Sequence, residues 1–130
     1  MAVLIDSSVL IEAERQGNHL AVSIDHEPGA ISVITLSELL HGAERAKDDG
    51  VRVRREAFVT RLLASLEAVP ITDAVARVHA RIWAALERAG TPISPHDLWI
   101  AATALSHGMA VATENVRDFE RVPGLVVIPV

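Results

Sequence analysis

The sequence contains no cysteine and no tyrosine, a single lysine, and four aromatic residues, Phe58, Trp83, Trp99 and Phe119. Without cysteine there is no disulfide framework and no thiolate metal site. With so few aromatic rings, base stacking is excluded as the main mode of any nucleic-acid binding. Long apolar runs are missing too. The longest uncharged stretch, residues 98–113, holds 16 residues, whereas a bilayer-spanning helix needs roughly 20. The start, Met1-Ala2-Val3-Leu4-Ile5-Asp6, has no basic region and meets an acid at once, unlike a signal peptide. These absences lead us to expect a soluble cytoplasmic protein with no membrane partner.

What is present is largely apolar. Half of the 130 residues are hydrophobic. That suffices for one domain over 1–130 with a sizeable core, and is too much for a disordered chain. No stretch reads as a linker and no repeat is visible. The formal charge is −5, from 17 acids against 12 bases. Taken alone this disfavours a nucleic-acid partner, so the placement of the acids decides.

Short apolar runs at 2–5, 30–34, 68–71, 110–112 and 125–128 read as strands. Helical patterns fall at 9–16, 20–24, 35–46, 51–66, 72–89 and 94–107, with Gly90 and Gly108 as stops. Pro70 suggests a sheet edge for the third strand. The alternation predicts an α/β fold with a mainly parallel sheet covered on both faces. In such sheets, sites form outside the carboxyl ends of the strands.

Acids stand at those ends. Asp6 follows the first strand, Glu38 lies one turn past the second, Asp97 opens the helix before the fourth, and Glu114, Asn115 and Asp118 follow it. Each has a purely structural explanation. Thr35-x-x-Glu38 has the form of a capping box, Ser94-Pro95-His96-Asp97 has a cap serine and an acid at N3, and Asn115-x-x-Asp118 repeats the pattern. A cap stabilises a helix start by roughly 0.5–2 kcal/mol. The joint pattern asks for more. Carboxylates gathered on one edge without basic partners repel each other, and low dielectric strengthens the repulsion. Oxygen donors with no cysteine and no histidine pair suit a hard cation, Mg²⁺ or Mn²⁺. The chemistry this suggests is phosphodiester hydrolysis by a metal-activated water.

Four blocks carry a resemblance. They are Leu4-Ile5-Asp6-Ser7-Ser8-Val9-Leu10-Ile11, Ile31-Ser32-Val33-Ile34-Thr35-Leu36-Ser37-Glu38-Leu39-Leu40-His41-Gly42, His96-Asp97-Leu98-Trp99-Ile100-Ala101-Ala102-Thr103-Ala104, and Val111-Ala112-Thr113-Glu114-Asn115-Val116-Arg117-Asp118-Phe119. In order and spacing they resemble the PIN domain, most closely the VapC toxins of bacterial toxin–antitoxin modules, over nearly the whole chain. The resemblance implies a five-stranded parallel sheet in the order 3-2-1-4-5 with helices on both faces. It implies an Mg²⁺-dependent endoribonuclease, a cognate VapB-like antitoxin and a homodimer. By that pattern Asp6 and Asp97 are the main metal ligands and Glu38 completes an acidic triad. The fourth acid is Asp118 or falls at Asn115. We favour Asp118, supported by Asn115 and Thr113, with Ser8 orienting Asp6 or a metal-bound water. Asp73, after an edge strand in that order, is a capping residue.

The remaining candidates are weaker. None of the six histidines forms a ligand-spaced pair, though His41 and His96 neighbour Glu38 and Asp97. Eleven of the twelve bases are arginine, a side chain suited to phosphate. Arg52, Arg54 and Arg55 read first as a solvated helix face, and Arg117 is the better phosphate contact. Trp83 and Trp99 have the helical spacing of core or interface residues. Two other readings keep the fold: a PIN nuclease of routine RNA processing, and a non-catalytic binding module, against which the intact acids argue. A phosphoryl-accepting receiver needs a lysine near the last strands, and the one lysine here is Lys47. Finally, setting aside Asp6, Glu38, Asp97 and Asp118 leaves 13 acids against 12 bases. The net acidity is therefore no evidence against RNA.

Overall fold

The fold is seen in a computed structural model that describes residues 1–17 and 29–130. The helix expected at 20–24 lies outside the described residues. The observed order is β1 (Val3–Ile5), α1 (Ser7–Arg15), β2 (Gly29–Ser32), α2 (Val33–Glu44), α3 (Asp49–Ser65), β3 (Glu67–Val69), α4 (Asp73–Ala89), α5 (Pro95–Ser106), β4 (Ala110–Thr113), α6 (Val116–Phe119) and β5 (Val127–Pro129). The strands form one sheet in the order β3-β2-β1-β4-β5, and all four pairings are parallel.

Side chains alternate across β1. Leu4 faces a core with Ala30, Val111, Ile100, Val75 and Phe119. Val3 and Ile5 face the opposite core with Val9, Leu10, Leu39, Phe58 and Leu62. Helices thus cover both faces, α4 to α6 on one and α1 to α3 on the other, which is why the strands read as unbroken apolar runs. The chain runs outward from β1 to β3, then returns to place β4 on the other side of β1. The crevice between the ends of β1 and β4 is where strand order reverses, the usual place for a site in such sheets.

Several boundaries differ from expectation, each for a local reason. The second strand stops at Ser32 and the helix begins at Val33 rather than Thr35. Ser32 is the cap: its Oγ accepts a hydrogen bond from the Ile34 N–H at 3.0 Å. Thr35 is therefore inside the helix, and the capping box expected there with Glu38 does not form. The third strand ends before Pro70, which has no N–H to give a ladder. It is an edge strand, as Pro70 suggested. The cap after it is Thr72, accepting from the Val75 N–H at 3.3 Å, while Asp73 pairs with Arg77 at 3.0 Å. Asp73 is thus not the cap.

Other signals read as expected. Ser94 caps α5 with Pro95 in its first turn, and Gly90 ends α4 in the left-handed region at φ 68°. The charge-rich residues 46–56 fall mostly at the start of α3, capped by Asp48.

Ser32 is fully buried. Replacing it, Ser32→Ala, should cost about 1–2 kcal/mol through loss of the α2 cap. The check is the urea midpoint, and an unchanged midpoint would contradict this start of α2.

Candidate active site

Asp6 leaves β1 and occupies the N-cap position of α1, yet its side chain makes no capping hydrogen bond. The structural explanation for this acid therefore fails. Its carboxylate is 3% exposed, and two hydroxyls hold it. Ser8 Oγ donates to Oδ2 at 2.9 Å and Thr113 Oγ1 donates to the same oxygen at 2.8 Å. Both hydroxyls are themselves fixed, by the backbone N–H groups of Glu114 and Asn115 at 3.1 and 2.8 Å. The other oxygen, Oδ1, is buried without a partner. Ser8 and Thr113 thus belong to one construction that joins the ends of β1 and β4, and Asp6 N–H completes it by donating to Ala112 O at 2.9 Å.

Asp97 stands in the first turn of α5, where Ser94 Oγ accepts from its backbone N–H at 3.2 Å. Its side chain turns to a different partner: Asn115 Nδ2 donates to Asp97 Oδ2 at 3.1 Å and to Asp118 Oδ2 at 3.0 Å. Asn115, at the N-cap position of α6, likewise makes no side-chain cap. It is a neutral link between two carboxylates. Burial, and then the charge of Asp6, push the Asp97 carboxyl up to about 6 from an ordinary 3.8. Hydrogen bonds from Ser94 and Asn115 oppose this, and Glu38 adds a smaller push upward. Three acids from three elements therefore feel one another.

Glu38 comes from α2. One oxygen lies 3.4 Å from Nδ1 of the exposed His96, and the other, Oε1, is buried without a partner. Among the described residues, no three His, Asp or Glu side chains are already gathered into a metal cage. The fourth acid, Asp118, is the one with a permanent cation, Arg121, at 3.3 Å. Arg121 also donates to Pro92 O at 3.1 Å. Arg121 lies in the turn just past α6, three residues after Asp118, and that i, i+3 spacing is the sequence signal for the pair. Arg117 is exposed and makes no ion pair or hydrogen bond with the acids among the described residues. His41 is exposed as well. Trp99 stacks on the buried His79 at 3.5 Å between α4 and α5, a packing role, whereas Trp83 is 53% exposed.

Fold and site together define a class: a doubly wound α/β domain whose topological switch point carries a buried acid, half-buried acids beside it and a pair of hydroxyls. The comparisons agree with it. A family model described as the PIN domain matches residues 3–125. Ribonuclease VapC1 of Rickettsia felis is 34% identical over 130 residues, covering all of this chain and 97% of that protein. The tRNA(fMet)-specific endonuclease VapC of Salmonella typhimurium is 43% identical over 96 residues, 73% of this chain and 70% of the relative. A crystal structure of DNA-bound VapBC from Salmonella typhimurium superposes with a TM-score of 0.89 at 32% identity, over 99% of this chain and 98% of that one. The chain belongs to the PIN-domain family and, within it, to the VapC ribonucleases. No helix among the described residues is long and apolar enough to cross a membrane.

Asp97 gives a pH prediction. Its folded pKa, about 6, exceeds the ordinary 3.8, so the protonated form favours folding. That contribution is complete below about pH 4 and is lost as pH rises through about 6. In EDTA, the melting temperature of the wild-type protein should fall across this window relative to Asp97→Asn, which cannot titrate there. Parallel curves would contradict the burial of Asp97 among other acids.

Proposed function

We propose that this chain is the toxin of a toxin–antitoxin pair, a divalent-cation-dependent endoribonuclease that hydrolyses RNA phosphodiester bonds in the cytoplasm. One observation carries the reading. Asp6 and Glu38 each keep a buried oxygen without a partner while their charges raise the pKa of Asp97. Among the described residues, no permanently charged base pairs with any of the three. One buried and two half-buried carboxylates brought together without a permanent positive charge are costly unless a cation joins them.

The donors fit Mg²⁺ or Mn²⁺, since all are hard oxygens. Mg²⁺ usually keeps several waters and binds through one or two carboxylates plus substrate phosphate, not in an all-protein cage. That habit accords with acids that converge without closing into one. Asp6 and Asp97 are the principal ligands in this proposal, Glu38 the third acid, and Asp118 the fourth. When bound, the ion supplies positive charge to a phosphate oxygen and lowers the pKa of water toward neutrality.

The chain's own residues hold the geometry. Ser8 and Thr113 lock one oxygen of Asp6, which leaves the other free for the ion. Asn115 sets Asp97 against Asp118 without adding charge. Arg121 already balances Asp118, so this acid is the least available of the four. With both phenylalanines buried and Trp99 stacked on His79, Trp83 is the one largely exposed aromatic ring, so RNA would be held mainly by its backbone and shape rather than by stacked bases.

The antitoxin has a place to dock. A cavity of about 350 Å³ between α1, α2 and α3 is lined by Ile11, Leu39 and Phe58, edged by Arg45 and Arg55, and reaches Glu38. The solved VapBC of Salmonella typhimurium supports a VapB-like partner, which in this proposal would cover the cavity and block the site.

The test is cleavage of total RNA by the purified protein with Mg²⁺ or Mn²⁺. EDTA should stop it, and Asp6→Asn with Asp97→Asn should abolish both cleavage and growth arrest while circular dichroism stays unchanged. Full cleavage by that double variant would sink the proposal.

A further inference from the structure

Among the described residues, three buried side-chain oxygens lack any hydrogen-bond partner: Asp6 Oδ1, Glu38 Oε1 and Thr35 Oγ1. Two belong to the acids of the site. The third has so far no role, because Ser32 took the cap for which Thr35 had been expected. Thr35 is 0% exposed.

A hydroxyl buried inside a helix normally finds the carbonyl of the preceding turn. Thr103 does so, donating to Trp99 O at 2.8 Å, and Thr60 donates to Glu56 O at 3.1 Å. Thr35, the third residue of α2, has no full helical turn before it to offer such a carbonyl, and its Oγ1 has no other partner. Valine would fill the same space without burying an unpaired oxygen, so the hydroxyl calls for a partner. Position supplies one. Thr35 and Glu38 are three residues apart on α2 and so lie on neighbouring rows of one helix face. Thr35, Leu39 and Ala43 form the buried stripe of that helix, and Glu38 borders it. Two buried oxygens so placed, with no hydrogen bond between them, are a setting in which one ordered water can bridge.

We propose that Thr35 is a positioning residue of the acidic site: its hydroxyl fixes the free oxygen of Glu38 through a shared water. The proposal rests on the metal-dependent reading above. Thr35 touches neither ion nor substrate. It limits the rotation of the Glu38 carboxylate, as outer-shell partners do for ligating side chains.

The experiment compares wild type, Thr35→Val and Thr35→Ser by calorimetric titration with Mn²⁺ at neutral pH and by thermal melts in EDTA. Thr35→Val should bind Mn²⁺ about 10-fold more weakly, yet fold and melt cooperatively in EDTA, because valine fills the space of threonine. Thr35→Ser should keep near wild-type affinity but melt lower, since it deletes a buried methyl. Equal Mn²⁺ affinity for wild type and Thr35→Val overturns the proposal. So does a Thr35→Ser variant as weak as Thr35→Val, or a Thr35→Val variant that fails to fold, since either assigns the side chain to packing or stability alone. If wild type itself binds no Mn²⁺, the metal-dependent reading falls and this one with it.

Discussion

The mutual repulsion of carboxylates at the switch point between β1 and β4 is the constraint around which the rest of the site is arranged. Parallel order brings the end of β1, the end of β4 and the starts of α2 and α5 to one edge. Acids at those places cannot avoid one another. The fold contains the repulsion by three means, none of which cancels it. Hydroxyls from Ser8 and Thr113 stabilise the charge of Asp6, Asn115 separates Asp97 from Asp118 with a neutral amide, and Asp97 holds its proton up to about pH 6. Among the described residues, Asp118 is the one of these acids that receives a full positive charge, from Arg121.

The two cores make this containment rigid. Leu4 packs against α4 and α5 while Val3 and Ile5 pack against α1 to α3. The residue after them, Asp6, cannot shift without disturbing both layers. In the proposed reading, stability of the metal-free protein and readiness for a cation are therefore opposed. Each carboxylate oxygen satisfied within the protein would steady the fold and remove a donor from the ion. Asp6 Oδ1 and Glu38 Oε1 are what that opposition leaves over. Active sites are where such departures from full polar satisfaction collect.

Much of the architecture was legible from patterns that act locally. Apolar runs of strand length, the serine and proline before α5, and the glycine after α4 each depend on a few neighbouring residues; the runs mark all five strands though not their ends, and the serine, proline and glycine act where they were expected. The boundary at α2 was not legible, because Ser32 and Thr35 compete for the same role and only the packing of β2 decides between them. The edge strand was misplaced by two residues, since Pro70 and Ile71 are apolar but cannot extend the ladder. Within the site, the acids were visible as residues following strands. What holds them was not: Thr113 meets Asp6 across 107 positions of sequence and Asn115 meets Asp97 across 18. Such contacts depend on strand order, which four motif blocks supplied through resemblance and which periodicity alone could not.

The central claim is that these acids form a cation site in a VapC ribonuclease. It is tested most directly by crystallising the protein with Mn²⁺ and calculating an anomalous difference map. The account predicts a peak in contact with the carboxylates of Asp6 and Asp97, with Glu38 turned toward it. A map with no peak at these acids, at Mn²⁺ concentrations that support RNA cleavage, would contradict it.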